Sequence, residues 1–185
     1  MKLHLSLITA AVLCACGGNV QDNREQTEQM RRVDSLWGNF KGIKELLRYD
    51  VYAIHDRKEE MDSLLQISKF FNETQLDERE KQILIGYAAI ARVYAPIAPK
   101  YKEVVLESEE AFYRIKAMEQ SVRNQTYIGK RDEFIAAYQR ELAALEHLEE
   151  DGKNVLNKLT EVEPMYLRLQ PAVEEIMERE TKLIR

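Results

Sequence analysis

The chain has 185 residues, a formal net charge of −5 and 32% charged residues, with only seven glycines and four prolines. Acidic and basic residues are interspersed without a long basic block, so the sequence lacks the electrostatic footprint of a nucleic-acid-binding protein. High charge combined with little glycine or proline is typical of long, solvated amphipathic helices. We therefore expect an all-α protein that does not bind nucleic acid.

Residues 1–15 have the layout of a secretory signal peptide. One early charge, Lys2, precedes an apolar run from about Leu5 to Ala15 that ends in small residues. This run is shorter than the roughly 18 to 20 residues that a membrane-spanning helix needs. We interpret it as a leader that is removed rather than as a transmembrane helix.

The leader ends in the run Leu13-Cys14-Ala15-Cys16, which resembles the lipobox of bacterial lipoproteins. In that family an apolar residue, a small residue and an Ala or Gly precede a cysteine that is lipidated and becomes the first residue after cleavage. The resemblance covers about 19 residues, and Cys14 departs from the usual small residue at its position. It implies that Cys16 carries a lipid that anchors the protein to a membrane. A flexible tether is then expected over residues 16–23.

Two other interpretations of the cysteine pair are open, namely a Cys-x-Cys metal loop and an ordinary leader cut after Ala15 without lipidation. Two cysteines alone are too few ligands for a structural zinc site. Gly17 and Gly18 lack the acidic residues that direct other sorting in similar lipoproteins. The resemblance therefore implies the periplasmic face of the outer membrane, with surface exposure left open.

The first amphipathic segment of the mature chain extends from about residue 23 to residue 71. Its apolar residues recur at a seven-residue, helical spacing, at Val33, Phe40, Leu47, Ile54 and Met61. Gly38 and Gly42 weaken a helix by about 1 kcal/mol each relative to Ala without ending it. The pattern predicts one continuous helix.

The second segment has the strongest periodicity in the chain. Thr74, with Asp77 three residues on, predicts its start. Its two-position heptad seam resembles that of a coiled coil, with one position filled by Leu76, Ile83, Ile90, Ile97, Val104, Ala111 and Met118, and the other by Tyr87, Tyr94, Tyr101, Ile115 and Val122. The seam keeps its phase across Pro96 and Pro99, so these prolines predict a kink rather than a loop.

Asn124 to Lys130, with Gly129, predicts the second connection. A third amphipathic segment follows, and its helical spacing continues across Pro164 and Pro171 to the end of the sequence. Its expected core-facing residues include Phe134, Leu145, Leu148, Val155, Leu159, Val162, Met165, Leu169 and Val173.

Three helical arms joined by short turns are expected to run antiparallel. The predicted fold is therefore an elongated antiparallel three-helix bundle over residues 24–185, with long helices kinked at the prolines. If the prolines broke the arms, the same segments would instead form a squatter bundle of about five or six shorter helices.

Recognisable catalytic and metal-binding motifs are absent from the sequence. Neither His55 nor His147 is preceded three residues earlier by Glu, so the Glu-x-x-His pairs of a carboxylate-bridged metal bundle are missing. The sequence also has no His-Glu-x-x-His run and no Gly-rich phosphate loop. It predicts no enzymatic activity, no metal and no cofactor.

Folding the arms back about their turns places irregular features at one level of the bundle. His55 of the first arm is expected there near Tyr94, Pro96, Pro99 and Tyr101 of the second, a set that we call the waist. Buried Tyr and His need polar partners, and prolines leave backbone carbonyls that can accept from them. The waist is either a groove for a small apolar or aromatic ligand or a packed, satisfied core.

Ser35 and Ser63 each follow Asp and precede Leu. Asp34-Ser35-Leu36 and Asp62-Ser63-Leu64 resemble the Asp-Ser/Thr-apolar acceptor motif for O-linked glycans on exported proteins of the Bacteroidetes. The resemblance implies surface modification of both serines, although a serine beside Asp on a solvated helix needs no special explanation.

These features favour an envelope lipoprotein whose helical body is a structural or protein-interaction element with another envelope protein as its partner. The alternative is a lipoprotein that binds a small ligand at the waist. The two differ in what the waist should contain, because a ligand needs an apolar cavity there.

Overall fold

A computed structural model of the chain describes residues 18–71 and 76–184. The predicted leader, the lipidation residue Cys16 and the expected helix start at Thr74 lie outside the described residues. Within them are four helices, α1 (Gly18–Leu46), α2 (Val51–Ser68), α3 (Glu78–Arg123) and α4 (Arg131–Ile184), and no strand. The predicted all-α class is confirmed. None of the helices in this part of the chain is long and apolar enough to cross a membrane.

The first arm consists of two helices, so the predicted continuous helix over 23–71 is wrong. Asp50, between α1 and α2, has extended backbone angles of φ −72° and ψ 118°. Its side chain accepts the backbone N–H groups of Tyr52 at 2.8 Å and Ala53 at 3.5 Å. An aspartate in this conformation is an N-cap that starts a new helix. At its other end α1 begins at Gly18, so residues 18–23 of the expected tether are helical.

α3 begins after a capping box. The Asp77 carboxylate accepts the N–H of Glu80 at 2.8 Å, and the Glu80 carboxylate accepts the N–H of Asp77 at 3.0 Å. This exchange satisfies two of the backbone donors that a helix start leaves unpaired. The cap therefore fixes the start of α3 at Glu78.

α3 and α4 each continue through two prolines, Pro96 and Pro99 in α3 and Pro164 and Pro171 in α4. Each proline lacks an N–H, so the carbonyl four residues earlier loses its helical partner. All four prolines are exposed. On the exposed side of a helix water can satisfy the freed carbonyl, and the buried seam on the other side keeps its spacing.

The connection predicted from Asn124 to Lys130 is present, and α3 ends there in a Schellman motif. The N–H groups of Gln125 and Thr126 donate to the carbonyls of Val122 at 3.0 Å and Ser121 at 2.9 Å. Gln125 takes the left-handed conformation, with φ 59°, that this motif requires. Gly129 has φ 70°, which costs little without a Cβ atom.

The described residues fall into two compact units, unit 1 with residues 18–43 and 108–147, and unit 2 with residues 44–71, 76–107 and 148–184. α3 supplies its heptad seam to the cores of both. In unit 1 the buried core includes Val33, Leu36, Phe40, Ala111, Ile115, Met118, Val122, Phe134 and Leu145. In unit 2 it includes Ile54, Met61, Tyr87, Ile90, Tyr94, Ile97, Tyr101, Val104, Val155, Leu159, Val162 and Val173.

In unit 1, polar side chains of α1 hold the turn between α3 and α4. Gln26 donates from Nε2 to the carbonyls of Val122 at 3.0 Å and Arg123 at 3.2 Å, which lie at the end of α3. Gln29 donates to the Tyr127 carbonyl at 3.3 Å. The last carbonyls of a helix have no partner within it. α1 supplies one to the Arg123 carbonyl and a second donor to the Val122 carbonyl.

One predicted core residue of α4 is misplaced, because Met165 is 42% exposed. The buried stripe of α4 passes instead through Val162, Tyr166, Gln170 and Val173. These residues follow the helical spacing of three and four, and Met165 lies one position to the side. The expectation for Met165 is wrong, and a tyrosine and a glutamine take the core positions.

Candidate functional site

The structure separates the five waist residues into two environments. Tyr94 and Tyr101 are fully buried in unit 2, whereas His55, Pro96 and Pro99 are exposed. Helical geometry explains the separation, because Pro96 lies about 200° around α3 from Tyr94 at ~100° per residue. None of the five waist residues lines any of three surface cavities in the described part of the chain.

Tyr101 is satisfied by the break between α1 and α2. Its hydroxyl donates to the backbone carbonyl of Tyr49 at 2.9 Å. Tyr49 directly precedes the N-cap Asp50, outside both helices. Burial raises the pKa of Tyr101 above its usual value. This residue of the predicted waist therefore joins α3 to the segment that connects α1 and α2.

A polar network extends from the buried Tyr87 of α3 to exposed carboxylates of α2 and α4. The Tyr87 hydroxyl donates to Gln170 Oε1, and Gln170 Nε2 donates to Glu60 at 2.7 Å and Glu174 at 2.8 Å. Glu60 also accepts the Tyr166 hydroxyl at 2.9 Å. Sequence reasoning missed this network, and its one visible signal was a glutamine at a core spacing of α4.

The network holds its tyrosines in the neutral form. Burial raises the pKa of Tyr87 far above its usual value, and the charges of Glu60 and Glu174 contribute. Burial also raises the pKa of Tyr166, with its hydrogen bond to Glu60 as the next cause. A phenol held neutral in this way donates a hydrogen bond but is a poor nucleophile. The geometry therefore supports a role in packing.

Next to this network is an ion pair between Arg57 of α2 and Glu163 of α4. The Arg57 guanidinium lies 5.8 Å from the centre of the Tyr166 ring. The Tyr94 hydroxyl and Glu163 Oε2 are buried without a hydrogen-bond partner in the described structure. Burial, followed by the charge of Glu163, raises the pKa of Tyr94. In the described part of the chain, no cluster of three His, Cys, Asp or Glu side chains is arranged to hold a metal ion.

An apolar groove of about 390 Å³ lies between α3 and α4 in unit 2. Gly86 permits a close approach there, since a Cβ atom on it would lie 3.3 Å from Leu169 Cδ1. Val93 is 52% exposed and Met165 is 42% exposed, so both present apolar surface to solvent. We call this the groove, and its lining is formed by Gly86, Ala89, Ile90, Val93, Glu161, Val162, Met165, Arg168 and Leu169.

The two candidate glycosylation residues, Ser35 on α1 and Ser63 on α2, are both exposed. Their hydroxyl groups are therefore accessible, as the acceptor motif would require. The exposure is also what an ordinary serine on a solvated helix face shows.

The raised pKa values predict an alkaline loss of stability. Tyr87, Tyr94, Tyr101 and Tyr166 have folded-state pKa values above the ordinary value of 10.0. Their stabilising effect is complete below pH 10.0 and is lost as the pH rises through the folded-state values. Urea unfolding at about pH 8 and about pH 11 should show a lower free energy of unfolding at the higher pH. A native protein that ionises these four tyrosines without losing stability would contradict this assignment.

Comparisons of the chain with protein-family models, with curated protein sequences and with solved structures find no match.

Proposed function

We propose that the chain is a membrane-anchored envelope lipoprotein whose helical body is a structural and protein-interaction module. The groove between α3 and α4 is the observation that carries the interaction. Val93 and Met165 line it and present apolar surface to solvent. Contiguous exposed apolar surface of this kind, bordered by polar residues, marks an interaction site. The proposal assigns no catalytic role, cofactor or nucleic acid.

The lipobox supports the anchor in this proposal. Cys16 would carry the lipid and hold the protein at the periplasmic face of the outer membrane. More than one acyl chain is needed for stable membrane residence, and the lipoprotein family supplies that at its modified cysteine. α1 begins at Gly18, so the helical body would start almost immediately after the anchor.

The charges on the groove favour a second copy of the chain as its occupant. Glu161 and Arg168 line the groove seven residues apart on α4, and neither forms an ion pair in the described structure. If α4 of two copies met antiparallel about a two-fold axis near Met165, each Glu161 would face the partner copy's arginine. An isologous interface requires this self-complementarity.

The finer architecture is also part of the proposal. The short turn at 124–130 supports an elongated, antiparallel three-helix arrangement of the arms. The exposed prolines support a bend at Pro96 and Pro99 in α3, because helices curve with their convex side toward solvent.

A charge exchange tests the second-copy interaction. Sedimentation of the mature chain should show concentration-dependent dimers, and Arg168→Glu should weaken dimerisation about tenfold because it places like charges opposite each other. The double variant Glu161→Arg/Arg168→Glu should restore dimerisation, since it re-creates the pairs with reversed sign. Leu167→Glu is the matched control, because Leu167 is exposed on the same helix but does not line the groove. A protein that is monomeric throughout, or a double variant that fails to recover, would refute the interface.

The anchor has a separate test. Cys16→Ala should abolish lipidation and leave the protein unprocessed or in the soluble fraction, because no other residue at the junction can accept the lipid. Membrane fractionation with metabolic labelling by a fatty acid distinguishes the two forms. Recovery of a mature, membrane-bound Cys16→Ala protein would overturn the lipoprotein assignment.

A further inference from the structure

Unit 1 contains a second cavity, of about 380 Å³, where α1 faces the turn at 124–130 and the first turns of α4. Arg24 and Arg32 of α1 line it from one side, and Arg131 and Phe134 of α4 line it from the other. The cavity thus combines guanidinium groups with an apolar wall. It is distinct from the groove, which belongs to unit 2.

Only some of the charged side chains around this cavity form ion pairs. Arg32 pairs with Glu28 at 3.2 Å. Glu25 accepts the side-chain amide of Gln29 at 3.2 Å and lies 3.5 Å from the Gly129 N–H. Arg24 and Arg131 form no ion pair in the described structure. Glu25 and Glu28 also line the cavity, so three guanidinium groups face two carboxylates there. Arg24 and Arg131 are the two that remain available for an anion.

A buried amide provides an independent indication of a ligand. Gln29 lines the cavity and is only 3% exposed. Its Nε2 donates to the Tyr127 carbonyl and to Glu25, but its Oε1 is buried with no hydrogen-bond partner in the described structure. An unsatisfied buried acceptor destabilises the protein, and a ligand with an O–H or N–H donor would satisfy it.

We propose that this cavity binds a phosphate ester that also carries a hydroxyl or amino donor, as in a glycerol phosphate group. Arg24 and Arg131 would contact different phosphate oxygens from two helices, as guanidinium groups do in phosphate sites. The donor would reach Gln29 Oε1, and the carbon chain would lie against Ile135, the partly exposed apolar residue of the cavity wall.

The phosphate ester could come from a lipid headgroup or from a soluble metabolite. Arg24 lies six residues after Gly18, or roughly 9 Å along α1 at ~1.5 Å per residue. If Cys16 is lipidated, the cavity would lie close to the membrane surface. The lipid source therefore rests on the proposed anchor, whereas binding of a soluble phosphate ester does not.

Calorimetric titration of the mature chain with glycerol phosphate and with inorganic phosphate tests the site. Arg24→Gln/Arg131→Gln should weaken binding of both compounds by about tenfold or more, because each loses charge-assisted hydrogen bonds. Gln29→Met should weaken only glycerol phosphate, since inorganic phosphate does not need the Gln29 acceptor. Arg140→Gln, at an exposed position of α4 outside the cavity, is the matched control and should change neither affinity.

Absence of glycerol phosphate binding at concentrations up to about 10 mM would overturn the proposal. Unchanged affinity in the double arginine variant, or equal losses in that variant and in Arg140→Gln, would also overturn it. Circular dichroism of each variant verifies that the helices remain folded.

Vesicles distinguish the two sources. Co-sedimentation of the mature chain, residues 16–185 without the lipid, with phosphatidylglycerol vesicles, lost in the double arginine variant, would identify a headgroup. Binding of glycerol phosphate without binding of vesicles would identify a soluble ligand. Because both arms use protein without the lipid anchor, their outcome is independent of the Cys16 and groove experiments.

Discussion

The structure depends on the burial of a row of tyrosines along the seam of α3. Tyr87, Tyr94 and Tyr101 recur every seven residues and are all fully buried in unit 2. Their rings fill the core, but a buried hydroxyl needs a hydrogen-bond partner. The partners of Tyr87 and Tyr101 are Gln170 on α4 and the Tyr49 carbonyl. The buried tyrosines thus obtain their hydrogen-bond partners from a glutamine in the core of α4 and from the interruption of the first arm.

The sequence predicts those features of the fold that depend on neighbouring residues, and it does not predict those that depend on contacts between distant residues. The α3 seam and the turn at 124–130 are predictable, because periodicity and turn residues are local signals. The break before α2 is not, since the apolar spacing keeps its phase from Leu47 to Ile54 and conceals the N-cap at Asp50. The Tyr87 and Gln170 pair lies 83 residues apart in the chain. Periodicity predicts that both side chains face the core, but it does not predict that they contact each other.

The candidate functional surfaces were harder to predict for a related reason. Met165 has the composition and spacing of a core residue, so only the structure shows that it faces solvent at the groove, and only the structure brings Val93 of α3 beside it. Gln29 resembles any polar residue of a charged helix, yet it is buried with an unpaired oxygen. Conversely, the predicted waist grouped residues by their position along the arms, without regard to the side of the helix on which each residue lies. His55, Pro96 and Pro99 lie on the exposed sides of their helices.

The seam of α3 faces inward and stabilises the fold. Ile90 lies on this seam and is buried, whereas Arg92, two residues away, is exposed. The most direct test is the free energy of unfolding in urea for Ile90→Ala and Arg92→Ala. We expect a loss of about 2 to 5 kcal/mol for Ile90→Ala and a change within about 0.5 kcal/mol for Arg92→Ala. Equal losses in the two variants would show that the seam of α3 does not face inward.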